Sequence, residues 1–166
     1  MSRAFVKEND LEHAGIDIPE KPISTHPNYV TPNGLHEINQ SIKILETELK
    51  GIKKNDDAIA KQKKFRIERD LRYFFARLKS AILVDPQTQP NKQVLFAAHV
   101  EVENTEGKVF YFKIVGEDEA NISLGKISYI SPLAKALIGA KIGDEVIWNK
   151  PSGDEILIIN KISYFE

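Results

Sequence analysis

Leu35-His36-Glu37-Ile38-Asn39-Gln40-Ser41-Ile42-Lys43-Ile44-Leu45-Glu46-Thr47-Glu48-Leu49-Lys50-Gly51-Ile52 is the stretch that decides the fold. Leu35, Ile38, Ile42, Leu45, Leu49 and Ile52 recur in steps of three and four, the spacing that keeps one stripe of a helix against a partner helix. Thr31 is placed to cap the first free amides, and Pro32 stands where a helix loses nothing by lacking an N–H. Past the seam, Asn55-Asp56-Asp57 supplies turn residues and a fresh cap. A second seam follows at Ile67, Leu71, Phe74, Leu78 and Ala81/Ile82, stopping before Asp85-Pro86 because a residue before proline is pushed out of the α region. The spacing therefore predicts an antiparallel two-helix coiled coil over 31–85, with arms of about 30–40 Å at 1.5 Å per residue. Lys61, Lys63 and Lys64 fall where the second seam should continue, so the turn end is wetter than the base. Phe74 and Phe75 read as core at that base.

On the N-terminal side, Pro19, Pro22 and Pro27 interrupt every helical pattern, and 1–30 read as an extended arm, partly disordered when free, with Phe5 and Tyr29 as candidate pins. On the C-terminal side, 86–91 (Pro86-Gln87-Thr88-Gln89-Pro90-Asn91) read as a linker. From Lys92 the period changes to two. Strands are expected at Val94–Glu103, Lys108–Val115, Ile127–Ile130, Glu145–Asn149 and Glu155–Tyr164. Ser131-Pro132 caps a short helix closed by Gly139. Residues 92–166 thus form an antiparallel sheet with one short helix, and the whole chain is α+β.

Composition is that of an ordinary soluble chain: 166 residues, 42% hydrophobic, 28% charged, net charge −1 and no cysteine. No apolar run approaches a membrane span, and the start has no secretory h-region, so the expected location is the cytoplasm, away from membranes. The balance hides an asymmetry. Residues 50–79 hold eleven Lys or Arg against four acids. Lys53, Lys54, Lys61, Lys63, Lys64, Arg66 and Arg69 form a flank that suits RNA or DNA phosphates, or simply a solvated helix face.

Catalytic constellations are absent from the pattern. His13, His26, His36 and His99 are scattered, and there is no phosphate loop, nucleophile elbow or zinc motif. Asp56 and Asp57 are the one metal candidate: adjacent carboxylates at a tip hold a divalent cation weakly, with Asn55 beside them. The weightier reading of the same acids is helix capping. Trp148 reads as packed in the sheet.

Several strings stand out: Tyr29-Val30-Thr31-Pro32-Asn33-Gly34-Leu35, Arg69-Asp70-Leu71-Arg72-Tyr73, Ile82-Leu83-Val84-Asp85, Val94-Leu95-Phe96-Ala97-Ala98-His99-Val100, Phe112-Lys113-Ile114-Val115-Gly116-Glu117-Asp118-Glu119-Ala120, and Ile127 to Gly139 followed by Gly143-Asp144. Together they resemble the Gre family of bacterial transcription elongation and transcript-cleavage factors, nearer its GreB branch. The resemblance implies a coiled-coil hairpin on an FKBP-like domain. It implies a partner, bacterial RNA polymerase, docked through Ile130-Ser131-Pro132-Leu133. It implies a hairpin that enters the polymerase secondary channel, with a basic patch on the nascent RNA 3′ end. It implies tip acids that help the polymerase hold a second Mg2+, so that the polymerase, not the factor, cuts RNA. No small-molecule substrate is implied. The chain departs from the pattern at three places. Ile130 stands where GreB-like proteins usually carry an acid. The family's Gly-Asp pair followed by Glu-Asn-Ala is missing from the tip, where only Asn55-Asp56-Asp57 occurs. The hairpin is also shorter by about a heptad per arm, or ~10 Å of reach. The expectation is therefore polymerase binding, with cleavage stimulation weak at most. The alternatives are a prolyl isomerase, on fold analogy alone, and a coiled-coil regulator of another protein.

Overall fold

The computed structural model describes residues 18–52 and 57–165. The tip residues Lys53, Lys54, Asn55 and Asp56, and the arm residue Phe5, lie outside them. The chain divides into two units. One holds the described residues up to Thr25 with Ile38–Lys79; the other holds His26–Glu37 with Ser80 onward. The division cuts the first helix after its opening turn.

In the first unit the helical hairpin is present. Helix α1 runs Pro32–Gly51 and α2 runs Ala58–Ser80. Burial selects the seam: Ile38 and Ile42 on α1, Ile67 and Leu71 on α2. Burial then falls toward the turn, to 73% exposure at Ile59. Lys63 of α2 reaches Glu48 of α1 at 3.8 Å. Phe75 departs from the expected core and is 47% exposed. Phe75 lies about 40° past Leu71 around the helix, at the margin of the Leu71–Phe74–Leu78 stripe. Residues 18–25 lie along α2. Lys21 pairs with Asp70 at 3.1 Å and its ammonium stands 5.5 Å from the Tyr73 ring centre, while Glu20 pairs with Arg72.

The second unit begins with a correction at the end of α2. The helix stops at Ser80 instead of running to Asp85. Strand β1 (Tyr29–Val30) pairs in parallel with β2 (Ile82–Leu83), and the amides of Ile82 and Val84 donate to Asn28 and Val30. Ile82 continues the helical spacing, but its backbone is used by β1, a strand that precedes the hairpin in the chain. The expected linker contains a 3-10 turn, Pro86–Thr88, capped by Asp85.

Five strands follow: β3 (His99–Asn104), β4 (Val109–Val115), β5 (Lys126–Ser128), β6 (Glu145–Lys150) and β7 (Gly153–Ser163), in the order β5-β4-β3-β7-β6. Two expectations are corrected here. The sheet is mixed, because β5 joins β4 in parallel. The first strand begins at His99, not Val94: Ala97 has φ 69°, and Val94 bonds instead to Gly139 and Ala140. A left-handed residue turns the chain out of a strand. Helix α3, Pro132–Leu137, sets Leu133, Ala134 and Leu137 among Val100, Val102, Ile114, Ile127, Leu157 and Ile159. Trp148 packs edge-on to Phe110 and Phe112, as a sheet residue should.

Candidate functional site

The first turn of α1 is gripped by a buried acid. Thr31 caps it, its hydroxyl oxygen accepting from the Gly34 amide at 2.9 Å. That hydroxyl donates to Glu119 at 2.5 Å. Asn33 donates to the other Glu119 oxygen at 3.0 Å, and Lys126 sits 3.3 Å from the same atom. Glu37 completes the cluster, 2.9 Å from Asn33 and 3.6 Å from Lys126. Glu119 is 5% exposed, and a carboxylate so placed needs such donors. Gly34 is part of the device. A Cβ there would stand 2.7 Å from a Glu119 oxygen. The sequence reading missed Glu119. The visible signal was a capping threonine followed by a glycine, with no indication of which group closed on it.

The turn Ile130-Ser131-Pro132-Leu133, expected from the resemblance to dock, leads into α3. Ser131 accepts from the Ala134 amide at 3.3 Å, and its own amide donates to Ser128 at 2.9 Å. Leu133 is buried in the core, Ile130 and Ser131 are half-buried, and Pro132 is exposed. Proline at the first helical position leaves no amide unsatisfied. The result is a rigid turn that displays one face of a proline.

On α2, Lys61, Lys63, Lys64 and Arg66 are exposed, and Arg69 is half-buried. Part of this charge is answered locally. Arg69 forks onto Asp70 at 2.8–2.9 Å, and Lys64 lies 3.8 Å from Glu68. Of the tip candidates, Asp57 is described and caps α2, accepting from the Ile59 amide at 3.1 Å. Among the described residues no group of three or more His, Cys, Asp or Glu gathers to hold a metal ion. His99 stacks on Phe165 in the sheet, away from the other three histidine positions in sequence. Among the described residues no helix is long and apolar enough to cross a membrane.

The chain was compared with known proteins. Residues 89–164 match the family model described as transcription elongation factor GreA/GreB, C-terminal. GreB of Neisseria meningitidis serogroup B is 35% identical over 155 residues, covering 84% of this chain and 95% of the relative. GreA of Nautilia profundicola is 36% identical over 156 residues, covering 84% and 96%. GreA of Zymomonas mobilis is 38% identical over 105 residues, and that match spans 66% of the relative and 63% of this chain. The likeness extends over both the hairpin and the sheet, and the chain belongs to the GreA/GreB family of transcription elongation factors.

Proposed function

We propose that this elongation factor binds bacterial RNA polymerase through the turn Ile130-Ser131-Pro132-Leu133 and offers its hairpin to the polymerase secondary channel. The single observation that carries the reading is the construction of that turn. Leu133 anchors it in the core at 6% exposure while Pro132 faces solvent, so the backbone is held ready for a partner. The basic flank from Lys61 to Arg69 suits the phosphates of the nascent RNA 3′ end.

The test is retention on immobilised core polymerase. Pro132→Asp keeps the helix, because an acid at the first helical position complements the dipole. It removes the apolar contact and adds a charge. The wild type is expected to be retained and Pro132→Asp to be lost, with unchanged circular dichroism. Equal retention of both would remove the turn from the interface.

Cleavage stimulation is not part of the proposal. Asp57 spends one carboxylate oxygen on the Ile59 amide, and the short hairpin carries no Glu-Asn-Ala motif. On backtracked complexes the factor should release no more RNA than polymerase alone, with or without Asp57→Asn. Strong cleavage that vanished in Asp57→Asn would reverse this view of the tip. An isomerase gains no support from the aromatic residues. Lys150 stands 4.8 Å over Trp148 and Lys108 stands 4.9 Å over Phe110, so cations already occupy a face of each ring.

A further inference from the structure

Strands β3 and β4 turn one set of side chains into the core and the alternate set outward. The outward set is His99, Glu101 and Glu103 on β3, in register with Lys113, Tyr111 and Val109 on β4. At one end of this face lies a cleft of about 430 Å³. Its apolar walls are unusually open to solvent: Tyr111 is 69% exposed, Leu124 69% and Phe165 54%. The Phe165 ring is held in place. His99 stacks on it at 4.0 Å with the planes 16° apart, and its Nε2 lies 3.1 Å from the Phe165 carbonyl oxygen.

Charge singles out the same place. Residues 80–166 carry eight lysines and twelve carboxylates. Three of those lysines, Lys113, Lys126 and Lys161, line this one cleft, against Glu101 as its single acid among the described residues. Lys126 is turned to Glu119 and Glu37, so Lys113 and Lys161 supply the positive field at the mouth, with Glu101 across the strand pair from Lys161. Burial and that same Lys113 charge hold the His99 ring below its ordinary pKa, so the ring stays a neutral stacking surface.

We propose that this cleft binds single-stranded RNA, with a base lodged against Tyr111 and Phe165 and adjoining phosphates on Lys113 and Lys161. Exposed rings flanked by ammonium groups on a sheet are what unpaired bases stack on, each base gaining through its π-face while the lysines follow the backbone. An acidic peptide would satisfy the lysines but brings no flat face for the two rings. This site is distinct from the basic flank of α2 and does not depend on polymerase docking.

The probe is a fluorescein-labelled oligouridine, followed by anisotropy across a salt series with the full chain. Tyr111→Ala is expected to weaken binding about tenfold. Lys113→Ala with Lys161→Ala should lower the slope of log affinity against log salt by about 1.4, at 0.7 per single-strand phosphate. Both effects should persist in a background carrying Lys61→Ala, Lys63→Ala and Lys64→Ala, which separates the cleft from the hairpin flank. A 4-thiouridine probe should crosslink to the peptide holding Tyr111 or to the one holding Phe165. Tyr111 and the lysines are surface groups, and a thermal melt confirms that the variants fold. The proposal is overturned if Tyr111→Ala binds as the wild type does. It is equally overturned if the wild type shows no binding, or if a polyglutamate peptide and not the RNA perturbs the Tyr111 and Phe165 resonances.

Discussion

Replacing Glu119 with alanine is expected to lower the unfolding free energy by about 3 kcal/mol, measured by urea denaturation. Removing one side of a buried charged network leaves the other side desolvated without its partner. Here the groups left behind are the Thr31 hydroxyl, the Asn33 amide and the Lys126 ammonium. Lys126 keeps Glu37 at 3.6 Å, which places the loss at the lower end of the range for broken buried pairs. Glu119→Gln preserves the shape but turns an acceptor into a donor facing other donors, and should cost about 1–2 kcal/mol. A local readout accompanies both: the Gly34 amide, which donates to Thr31, should lose its protection from exchange before the strands of the sheet do. If Glu119→Ala were no worse than alanine at the exposed Glu106, the clasp would not be holding α1.

The same carboxylate makes the clasp sensitive to acid. Burial pushes its pKa up, but the hydrogen bonds from Thr31, Asn33 and Lys126, with the Lys126 charge, outweigh burial and hold it below the ordinary 4.5. In the unfolded chain it titrates at the ordinary value. The folded form thus binds the proton less readily than the unfolded one. Its contribution is complete above pH 4.5 and drains away as the pH falls through the lowered folded value. Asp70 and Glu155 are lowered too and add their own slopes, so the difference between wild type and Glu119→Gln isolates this group.

The parts of the fold that were legible in the sequence are those whose causes are local. The three-four spacing of Ile38, Ile42, Ile67 and Leu71 marks a helical stripe wherever it occurs, and all four are buried; the burial of Arg77 beyond them on α2 was not legible from spacing. Ser131-Pro132 states a helix start by its own chemistry, and α3 begins there. What escaped reading depends on chain that is distant in sequence. Ile82 fits the helical period, yet Tyr29 claims its backbone. Ala97 has an ordinary side chain, and only its pairing neighbours impose φ 69°. Glu119 lies in an acidic loop run, Glu117-Asp118-Glu119, where any of the three acids looks solvated; the cap at Thr31 selects one. The strings Tyr29–Leu35 and Phe112–Ala120 look like separate family signatures in the sequence. In the structure they are one cluster. The basic flank was legible as charge, but its local neutralisation by Asp70 and Glu68 was not, because a charge count does not say which rotamers meet.

Gly116→Ala is expected to destabilise the chain by about 3 kcal/mol, although it adds a single methyl group. The added Cβ would stand 2.3 Å from the Tyr29 carbonyl oxygen and 3.8 Å from the Val30 Cα. Whether that costs much depends on whether β1 can retreat, and β1 is fastened on several sides. Asn28 and Val30 accept from Ile82 and Val84 at 2.8 and 3.0 Å. The Tyr129 hydroxyl donates to the Pro27 carbonyl at 2.5 Å, and the Tyr29 ring packs at 5.8 Å from Phe96 and 5.4 Å from Tyr129. Backing away breaks the β1–β2 pair; staying compresses carbonyl oxygen against methyl. Gly51→Ala is the matched control. No atom of the described residues lies within 4 Å of its added Cβ, and alanine there removes the entropy cost of glycine in a helix, so it should raise stability by up to ~1 kcal/mol. Thermal melts of the two variants should therefore move in opposite directions from the wild type. Two alanine variants that melted together would mean that Gly116 is not the point at which β1 and β4 are pressed into contact.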